Sequence, residues 1–147
     1  MRILVVHGPN LDRLGRREPH LYGHTTLAEL DDRLVALGAQ LGAEVTTFQS
    51  NWEGALVDRI ATSDAHGFIV NGAGLTHTSV VLRDTLVGTG RPFAEVHISN
   101  VAAREPFRHN SLLSDVAAGV VFGFGVVGYE VALRGLLGSR FPNGEAA

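Results

Sequence analysis

The chain is predicted to be an α/β protein in which a five-stranded parallel sheet is covered by helices on both faces. Five short apolar runs, rich in β-branched and aromatic residues, are each bounded by glycine, proline or polar residues. Segments with helical spacing of apolar residues lie between them, and strict alternation of strand and helix indicates parallel strands. The length of 147 residues, 45% of them hydrophobic, suits one domain with a sizeable core.

The individual elements follow from these runs. Strands are expected at residues 3–6, 45–48, 68–70, 93–98 and 120–122. The first helix is the best marked, because Thr26 and Glu29 form a capping box and leucines then repeat at helical spacing until Gly42. Weaker helical patterns cover about 53–63, 78–87 and 125–137. This alternation favours a flavodoxin-like doubly wound sheet of strand order 2-1-3-4-5.

Composition narrows the classes of function. Twelve basic and fifteen acidic residues give a net charge of −3, and no continuous basic face is evident, so nucleic acid is not an expected partner. There is no cysteine, which excludes a thiol nucleophile, a thiolate metal site and a disulfide framework. The first apolar run is too short for a signal peptide, and we expect a cytoplasmic protein with no membrane span. We expect residues 1–147 to form a single domain with a disordered tail at about 142–147.

The loop behind the first strand carries the strongest functional signal. Residues 8–23 show no regular pattern, and loops of this length in compact domains are usually lids or binding segments, so we expect a lid at about 15–23. A phenol is a poor base near neutrality, because its pKa is about 10, but a nearby guanidinium favours the phenolate. Arg17 and Tyr22 can therefore form an activated base. The alternative is a disordered arginine-rich loop whose tyrosine only packs.

Polar side chains follow three strands at the edge where such sheets bind ligands, near the switch between strands 1 and 3. Asn10 follows the first strand, and Asn71 and His77 follow the third. Ser99 and Arg108 follow the fourth. Amide, imidazole, hydroxyl and guanidinium groups at one edge indicate a small anionic substrate that bears several hydroxyls.

A histidine and a carboxylate lie two residues apart on the fourth strand. Glu95 points to the same face as His97, so it can accept a hydrogen bond from the imidazole and help the ring to hold a proton for donation. The alternative is a structural ion pair. Asp84 lies further along the helix after the third strand, where its default interpretation is a solvated surface charge.

Two patterns point to cofactors that we do not expect. Residues 123–128 match G-x-G-x-x-G but belong to the last unit, with no following strand to complete a dinucleotide-binding βαβ fold, so close strand–helix packing explains these glycines better. The seven histidines show no metal-binding spacing. We predict neither a metal nor another cofactor.

Several motifs together resemble a known family. They are GPNL at 8–11, LGRREP at 14–19, YG at 22–23, LTHTS at 75–79, LRD at 82–84 and EVHISNV at 95–101. In this order they are similar to the motifs of the type II 3-dehydroquinate dehydratases. The departures are Asp12, where the family often has asparagine, and residues 71–74, where it more often has Asn-Pro-Gly-Ala.

The resemblance implies an anti elimination of water from 3-dehydroquinate to 3-dehydroshikimate through an enolate, without a metal or Schiff base. Tyr22 would remove the C2 proton, and Arg17 would favour its phenolate. Asn10, through a water molecule, would stabilise the enolate oxygen. His97, oriented by Glu95, would protonate the departing hydroxyl.

Further implications concern substrate binding and assembly. The substrate's carboxylate and hydroxyls would be held by Asn71, His77, Ile98, Ser99 and Arg108. Asp84 would reach the site of a neighbouring subunit in a homododecamer built from trimers. The same reaction serves the shikimate pathway of aromatic biosynthesis and the catabolism of quinate.

Two other hypotheses stay open on the sequence alone. One is a flavodoxin-like module that binds a nucleotide or a flavin, although Pro9 removes an N–H that a phosphate-binding loop after the first strand would need. The other is a homologue that retains these residues but serves as a scaffold or regulator.

Overall fold

The computed structural model describes residues 1–139, so the tail expected at about 142–147 lies outside the described residues. Within them a five-stranded parallel sheet has the order β2-β1-β3-β4-β5. The strands are β1 (Arg2–His7), β2 (Glu44–Gln49), β3 (Gly67–Asn71), β4 (Phe93–His97) and β5 (Gly119–Phe122). The predicted fold class and strand order are confirmed.

Helices cover both faces of the sheet. They are α1 (Pro19–Tyr22), α2 (Leu27–Gln40), α3 (Glu53–Ala61), α4 (Val80–Gly88) and α5 (Val127–Gly138). The four helices expected from the sequence are confirmed, and α1 is an additional single turn inside the loop behind β1. At the start of α2 the Thr26 hydroxyl accepts a hydrogen bond from the Glu29 N–H at 3.2 Å, as the capping box predicts. α4 begins later than expected, because the Ser79 hydroxyl caps it.

Two hydrophobic cores lie on opposite faces of the sheet. Alternate residues of β1 divide between them: Ile3 and Val5 pack with α2 and α5, whereas Leu4 and Val6 pack with α3 and α4. β3 and β4 are buried along their whole length, which is why their sequences are almost continuously apolar. Their polar residues are Asn71 and His97, which end the two strands, and Glu95, which lies within β4.

Two backbones meet closely at the carboxyl ends of β1 and β3. The Gly8 N–H donates a hydrogen bond to the Asn71 carbonyl at 2.8 Å, and a Cβ added to Gly8 would lie 2.6 Å from the Gly72 carbonyl oxygen. Glycine is required here because any side chain would collide with rigid backbone. This close contact joins the bases of the two loops, and the switch-point crevice opens beyond it.

The glycine-rich segment at 123–128 packs a helix against the sheet. Gly128 is buried at the start of α5, where an added Cβ would lie 3.4 Å from Val121 and 3.7 Å from Val96. A Cβ would make only ordinary van der Waals contacts at these distances, so the packing explanation for these glycines stays a prediction. In the part of the chain that the structure describes, none of the helices has the length and apolar character needed to cross a membrane.

Candidate active site

A cavity of about 180 Å³ lies beyond the carboxyl ends of β1, β3 and β4. Nine of the predicted site residues line it: Asn10, Arg17, Tyr22, Asn71, His77, His97, Ile98, Ser99 and Arg108. Glu95 does not line this cavity but contacts His97 from behind. Asp84 is exposed on α4 and is not among the lining residues. The structure therefore brings together residues from the carboxyl ends of three strands and the loops that follow them, with Glu95 behind the cavity and Asp84 away from it.

The imidazole of His97 is held by a buried carboxylate. Its Nε2 lies 2.6 Å from Oε1 of Glu95, and the two side chains are almost fully buried. Because a carboxylate only accepts, Nε2 carries the hydrogen, which leaves Nδ1 as the ring nitrogen that is free to exchange a proton. The orientation predicted from the two-residue spacing on β4 is thus present.

Two serines share the Glu95 carboxylate. The Ser111 hydroxyl donates to Oε1 at 2.8 Å, and the Ser114 hydroxyl donates to Oε2. Burial by itself would raise the pKa of Glu95, but the hydrogen bonds from His97, Ser114 and Ser111 outweigh it and hold the pKa below its ordinary value. Glu95 is therefore a carboxylate with fixed orientation beside His97, which is the state that stabilises a protonated imidazole.

A second imidazole stacks near the first. The rings of His77 and His97 lie 6.3 Å apart between centroids, with an interplanar angle of 17°. Nδ1 of His77 donates to the Asn110 carbonyl at 2.8 Å, since a carbonyl can only accept. In the neutral ring Nε2 is then a hydrogen-bond acceptor, and it suits a substrate hydroxyl.

Two guanidinium groups lie beside the ring of Tyr22. Nη1 of Arg104 donates to the Tyr22 hydroxyl at 2.9 Å, and the guanidinium carbon of Arg104 lies 5.7 Å from the ring centroid. The guanidinium carbon of Arg17 lies 5.8 Å from the same centroid. Two guanidiniums, one from the loop after β1 and one from the loop after β4, therefore place positive charge beside Tyr22. The hydroxyl is thus held by Arg104, whereas Arg17 contacts the ring.

Arg104 follows the fourth strand in the sequence, but the sequence motifs predicted no role for it in the site. It lines the cavity, and the same Nη1 also donates to the Ser99 hydroxyl at 3.3 Å. Its contact with Tyr22 joins residues 82 positions apart in the chain, so no local pattern predicts it. The available signal was the position of Arg104 just after the EVHISNV motif, in a loop that follows β4.

Polar contacts also fix the outer part of the cavity. Asn10 adopts a left-handed backbone conformation with φ of 71°, and its N–H donates to Oδ1 of Asn51 at 2.9 Å, while its side chain faces the cavity. Nε of Arg108 donates to Glu105 at 2.7 Å. An amide and a guanidinium are thereby held at the cavity, where they can bind an oxygen atom and a carboxylate.

The amide of Asn71 is held on both sides. Its Oδ1 accepts from the Ala73 N–H at 3.1 Å, and its Nδ2 donates to the Tyr129 hydroxyl at 2.9 Å. The first bond closes a turn in which Ala73 has a φ of 51°, a left-handed conformation that is costly for alanine. Among residues 1–139 there is no group of three or more histidine or acidic side chains arranged to hold a metal ion.

Comparisons with known proteins identify relatives of the whole catalytic region. The family model described as dehydroquinase class II matches residues 1–137. A 3-dehydroquinate dehydratase of Acinetobacter baumannii (strain AYE) is 57% identical over 134 residues, which cover 89% of each chain. Catabolic 3-dehydroquinase 1 of Aspergillus fumigatus is 55% identical over 134 residues, covering 90% of this chain and 89% of that protein.

Solved structures agree with these relatives. The crystal structure of the type II dehydroquinase from Propionibacterium acnes superposes with a TM-score of 0.90 at 43% identity, and the match covers 94% of this chain and 97% of that one. These matches favour the dehydratase hypothesis over a nucleotide- or flavin-binding module. A family model that spans almost the entire sequence, together with relatives identical at more than half of the aligned positions, shows that the chain belongs to the class II dehydroquinase family.

Proposed function

We propose that this class II dehydroquinase removes water from 3-dehydroquinate by an anti elimination through an enolate, with Tyr22 as the base and His97 as the acid. The activity itself, that of a 3-dehydroquinate dehydratase and hydro-lyase, follows from the family. One observation supports these roles most strongly. A phenol flanked by two guanidiniums and an imidazole backed by a carboxylate line the same cavity.

The first step is removal of a proton from C2, beside the ketone of the substrate. The Tyr22 hydroxyl receives a hydrogen bond from Arg104, and Arg17 lies over the ring, so the negative charge of a phenolate would be compensated on two sides. As the proton moves to Tyr22, the charge passes to the enolate oxygen. We assign the stabilisation of that oxygen to Asn10, acting through a water molecule.

The second step is loss of the hydroxyl at C1, which needs a proton to leave as water. His97 supplies it, because Glu95 stabilises the imidazolium before the transfer and fixes the ring orientation. The imidazole of His97 lines the cavity, and the Glu95 carboxylate is buried behind that imidazole. Proton removal is thereby assigned to the loop after β1 and proton donation to the last residue of β4.

The remaining polar residues bind the substrate. Arg108 is the cation best placed for the carboxylate, with Glu105 holding its Nε and leaving its terminal nitrogens available. The hydroxyls and remaining carboxylate oxygens are bound by Asn71, His77, Ser99 and the backbone of Ile98.

The expected lid, residues 15–23, contains Arg17 and Tyr22, which line the cavity. It begins at Gly15 and ends at Gly23, and both glycines have positive φ. We propose that residues 1–147 form a single catalytic domain. We also propose that closure of this lid completes its active site.

The reaction and the base can be tested together. Purified protein is mixed with 3-dehydroquinate without added metal or nucleotide, and the ultraviolet absorbance of the conjugated enone product is followed. We expect formation of 3-dehydroshikimate by the wild type and almost complete loss of turnover in Tyr22→Phe. Substrate binding, measured by calorimetry, should be largely retained in that variant. Turnover close to that of the wild type in Tyr22→Phe would reject the assignment of the base.

We also propose that the chain assembles into a homododecamer built from trimers and that Asp84 acts in the site of a neighbouring subunit. Asp84 is exposed on α4 and lies outside its own cavity, as this role requires. Light scattering tests the assembly directly: we expect a mass close to twelve times that of the 15.6 kDa chain, and a monomer peak would contradict it. The cytoplasmic location remains a prediction, for which cell fractionation is the test.

A further inference from the structure

A largely buried hydrogen-bonded chain runs from helix α2 along one face of the sheet to the cavity. Oδ1 of Asp31 lies 2.8 Å from Nε2 of His7, and Nδ1 of His7 lies 3.1 Å from the Tyr129 hydroxyl. The same hydroxyl accepts the hydrogen bond from Nδ2 of Asn71 at 2.9 Å. His7 and Tyr129 are completely buried, and neither takes part in the catalytic steps described above. The chain thus ends at a residue that lines the cavity.

The hydrogens in this chain have one consistent arrangement. The Tyr129 oxygen accepts from Asn71, so its own hydrogen is available for Nδ1 of His7. His7 is then a neutral imidazole that carries its hydrogen on Nε2 and donates it to the Asp31 carboxylate. Burial raises the pKa of Tyr129, against the opposing effect of the Asn71 hydrogen bond, so the hydroxyl remains a donor. The three hydrogen bonds therefore run in a single direction, from Asn71 through Tyr129 and His7 to Asp31.

This arrangement fixes the orientation of the Asn71 amide. Its oxygen faces the Ala73 N–H, and one of its two Nδ2 hydrogens is directed to Tyr129. Rotation of the amide by 180° would place the NH₂ group against the Ala73 N–H and the carbonyl oxygen against Tyr129. The second Nδ2 hydrogen is left for the cavity, where it can donate to an oxygen atom of a substrate.

We infer that His7 and Tyr129 are positioning residues that orient the Asn71 amide toward a substrate oxygen, an inference that rests on the proposed substrate-binding role of Asn71. A buried hydroxyl at position 129 is not needed for packing, since a phenylalanine ring would fill the same space. Its hydroxyl must be paired to avoid a desolvation penalty, and it is paired with the one nearby residue that reaches the cavity. The Asp31 carboxylate, in turn, holds the His7 tautomer that accepts the Tyr129 hydrogen.

A double-mutant cycle on the assembled enzyme tests this inference. Tyr129→Phe, Asn71→Ala and the double variant are purified, and kcat and KM for 3-dehydroquinate are measured for each. We expect Tyr129→Phe to raise KM by about tenfold, as for one misoriented hydrogen bond, with kcat changed by less than about twofold. In the Asn71→Ala background the Tyr129→Phe change should have no further effect on KM, because the group that it positions is absent.

A matched control separates positioning from general stability. Ile60→Val removes a buried methyl group from the core on the opposite face of the sheet, so it should lower the unfolding temperature without a change in KM. Asp31→Ala acts at the more exposed end of the chain and serves if Tyr129→Phe does not fold. It should raise KM by a smaller factor, and that effect should also vanish in the Asn71→Ala background.

The outcomes distinguish this inference from the proposed function. If the wild type forms 3-dehydroshikimate but Tyr129→Phe has the normal KM, or the same KM effect with and without Asn71, the positioning role is overturned and the activity stands. An unchanged KM in Asn71→Ala also overturns it, because there is then no binding residue to position. If the wild type itself forms no product, the proposed function and the positioning role are both rejected.

Discussion

At the scale of single residues, Tyr22 and His97, the proposed base and acid, are each held by a charged neighbour. Tyr22 has no acidic or basic partner in its own helical turn, and its hydroxyl is held instead by a guanidinium from the loop after β4. His97 lies two residues from its carboxylate on the same strand. The Glu95–His97 pair is local in sequence and could be predicted, whereas the Arg104–Tyr22 pair joins distant residues and could not.

The first residue-scale prediction concerns Arg104. Arg104→Lys retains the charge but replaces the planar guanidinium, whose Nη1 donates to the Tyr22 hydroxyl and whose carbon lies 5.7 Å from the Tyr22 ring centroid, by a compact ammonium group. We expect kcat to fall by about 10²-fold, because the proposed phenolate base loses the group that compensates its charge, and general base catalysis typically contributes at least that factor. Arg59→Lys on α3 is the control and should have normal kinetics. Equal kcat values in both variants would contradict the role given to Arg104.

The second residue-scale prediction concerns Glu95 and acid. The folded-state pKa of Glu95 is lowered from its ordinary value of 4.5, so its contribution to stability is fully present above that value and is lost as the pH falls below it. Glu95→Gln removes a buried, hydrogen-bonded carboxylate and should lower the free energy of unfolding by about 2 kcal/mol at neutral pH. Urea unfolding of both proteins should show this difference shrinking as the pH falls below about 4.5. If the stability difference between wild type and Glu95→Gln grew as the pH fell, the lowered pKa of Glu95 in the folded state would be contradicted.

At the scale of elements, the site depends on how closely the loops after β1 and β3 approach each other. The contact between Gly8 and the Gly72 carbonyl leaves no room for a Cβ atom. Because both loops contribute side chains to the cavity, a displacement of either one alters the distance between Asn10 and Asn71. Gly8, through its missing Cβ, and Gly72, through its carbonyl, thus set how closely the two loops of the site approach each other.

This close approach makes a prediction about Gly8→Ala. The new methyl group would lie 2.6 Å from a backbone oxygen, so the loops must separate, and we expect a loss of about 2 kcal/mol in unfolding free energy. The value of kcat/KM should fall as well, because the two loops hold binding residues. Gly74→Ala is the matched control, since no atom lies within 4 Å of the added Cβ there. Comparable stability of the two variants would argue against a steric role for Gly8.

At the scale of the whole molecule, the strand order decides which loops become neighbours. β1, β3 and β4 are adjacent, so their carboxyl ends bring the loops with Tyr22, Asn71 and His97 to one edge of the sheet. β2 and β5 lie at the two sides of the sheet. Asp84 projects from α4 outside this cavity, and the proposed assembly is what would bring it to another subunit's site.

A whole-molecule prediction follows for mixed assemblies. Tyr22→Phe should be nearly inactive and Asp84→Ala strongly impaired, each as a uniform assembly. When the two are dissociated, mixed and reassembled, activity should recover in part, because an intact Tyr22 can then lie beside an intact Asp84 from its neighbour. Asp64→Ala, at the amino end of the sheet beside Arg2, is the control and should be active alone. A mixture no more active than its components would place Asp84 outside the neighbour's site.

Much of this architecture could be predicted because it is encoded by local patterns. The short apolar runs and the capping box at Thr26 identify the strands and the first helix through periodicity and capping, which depend only on residues near in sequence. The Glu95–His97 pair follows from the two-residue repeat of a strand in the same way. The edge at which polar residues gather follows from the alternation of strand and helix.

The tertiary structure decided what depends on residues distant in sequence. The contact of Arg104 with Tyr22, the serines that hold Glu95 and the chain from Asp31 to Asn71 all join separate loops or helices. No periodicity specifies such pairs, because they form only when packing of the two cores brings the elements together. The sequence alone therefore determined the fold and the activity of the family, whereas only the folded chain determined which neighbours hold the proposed catalytic groups.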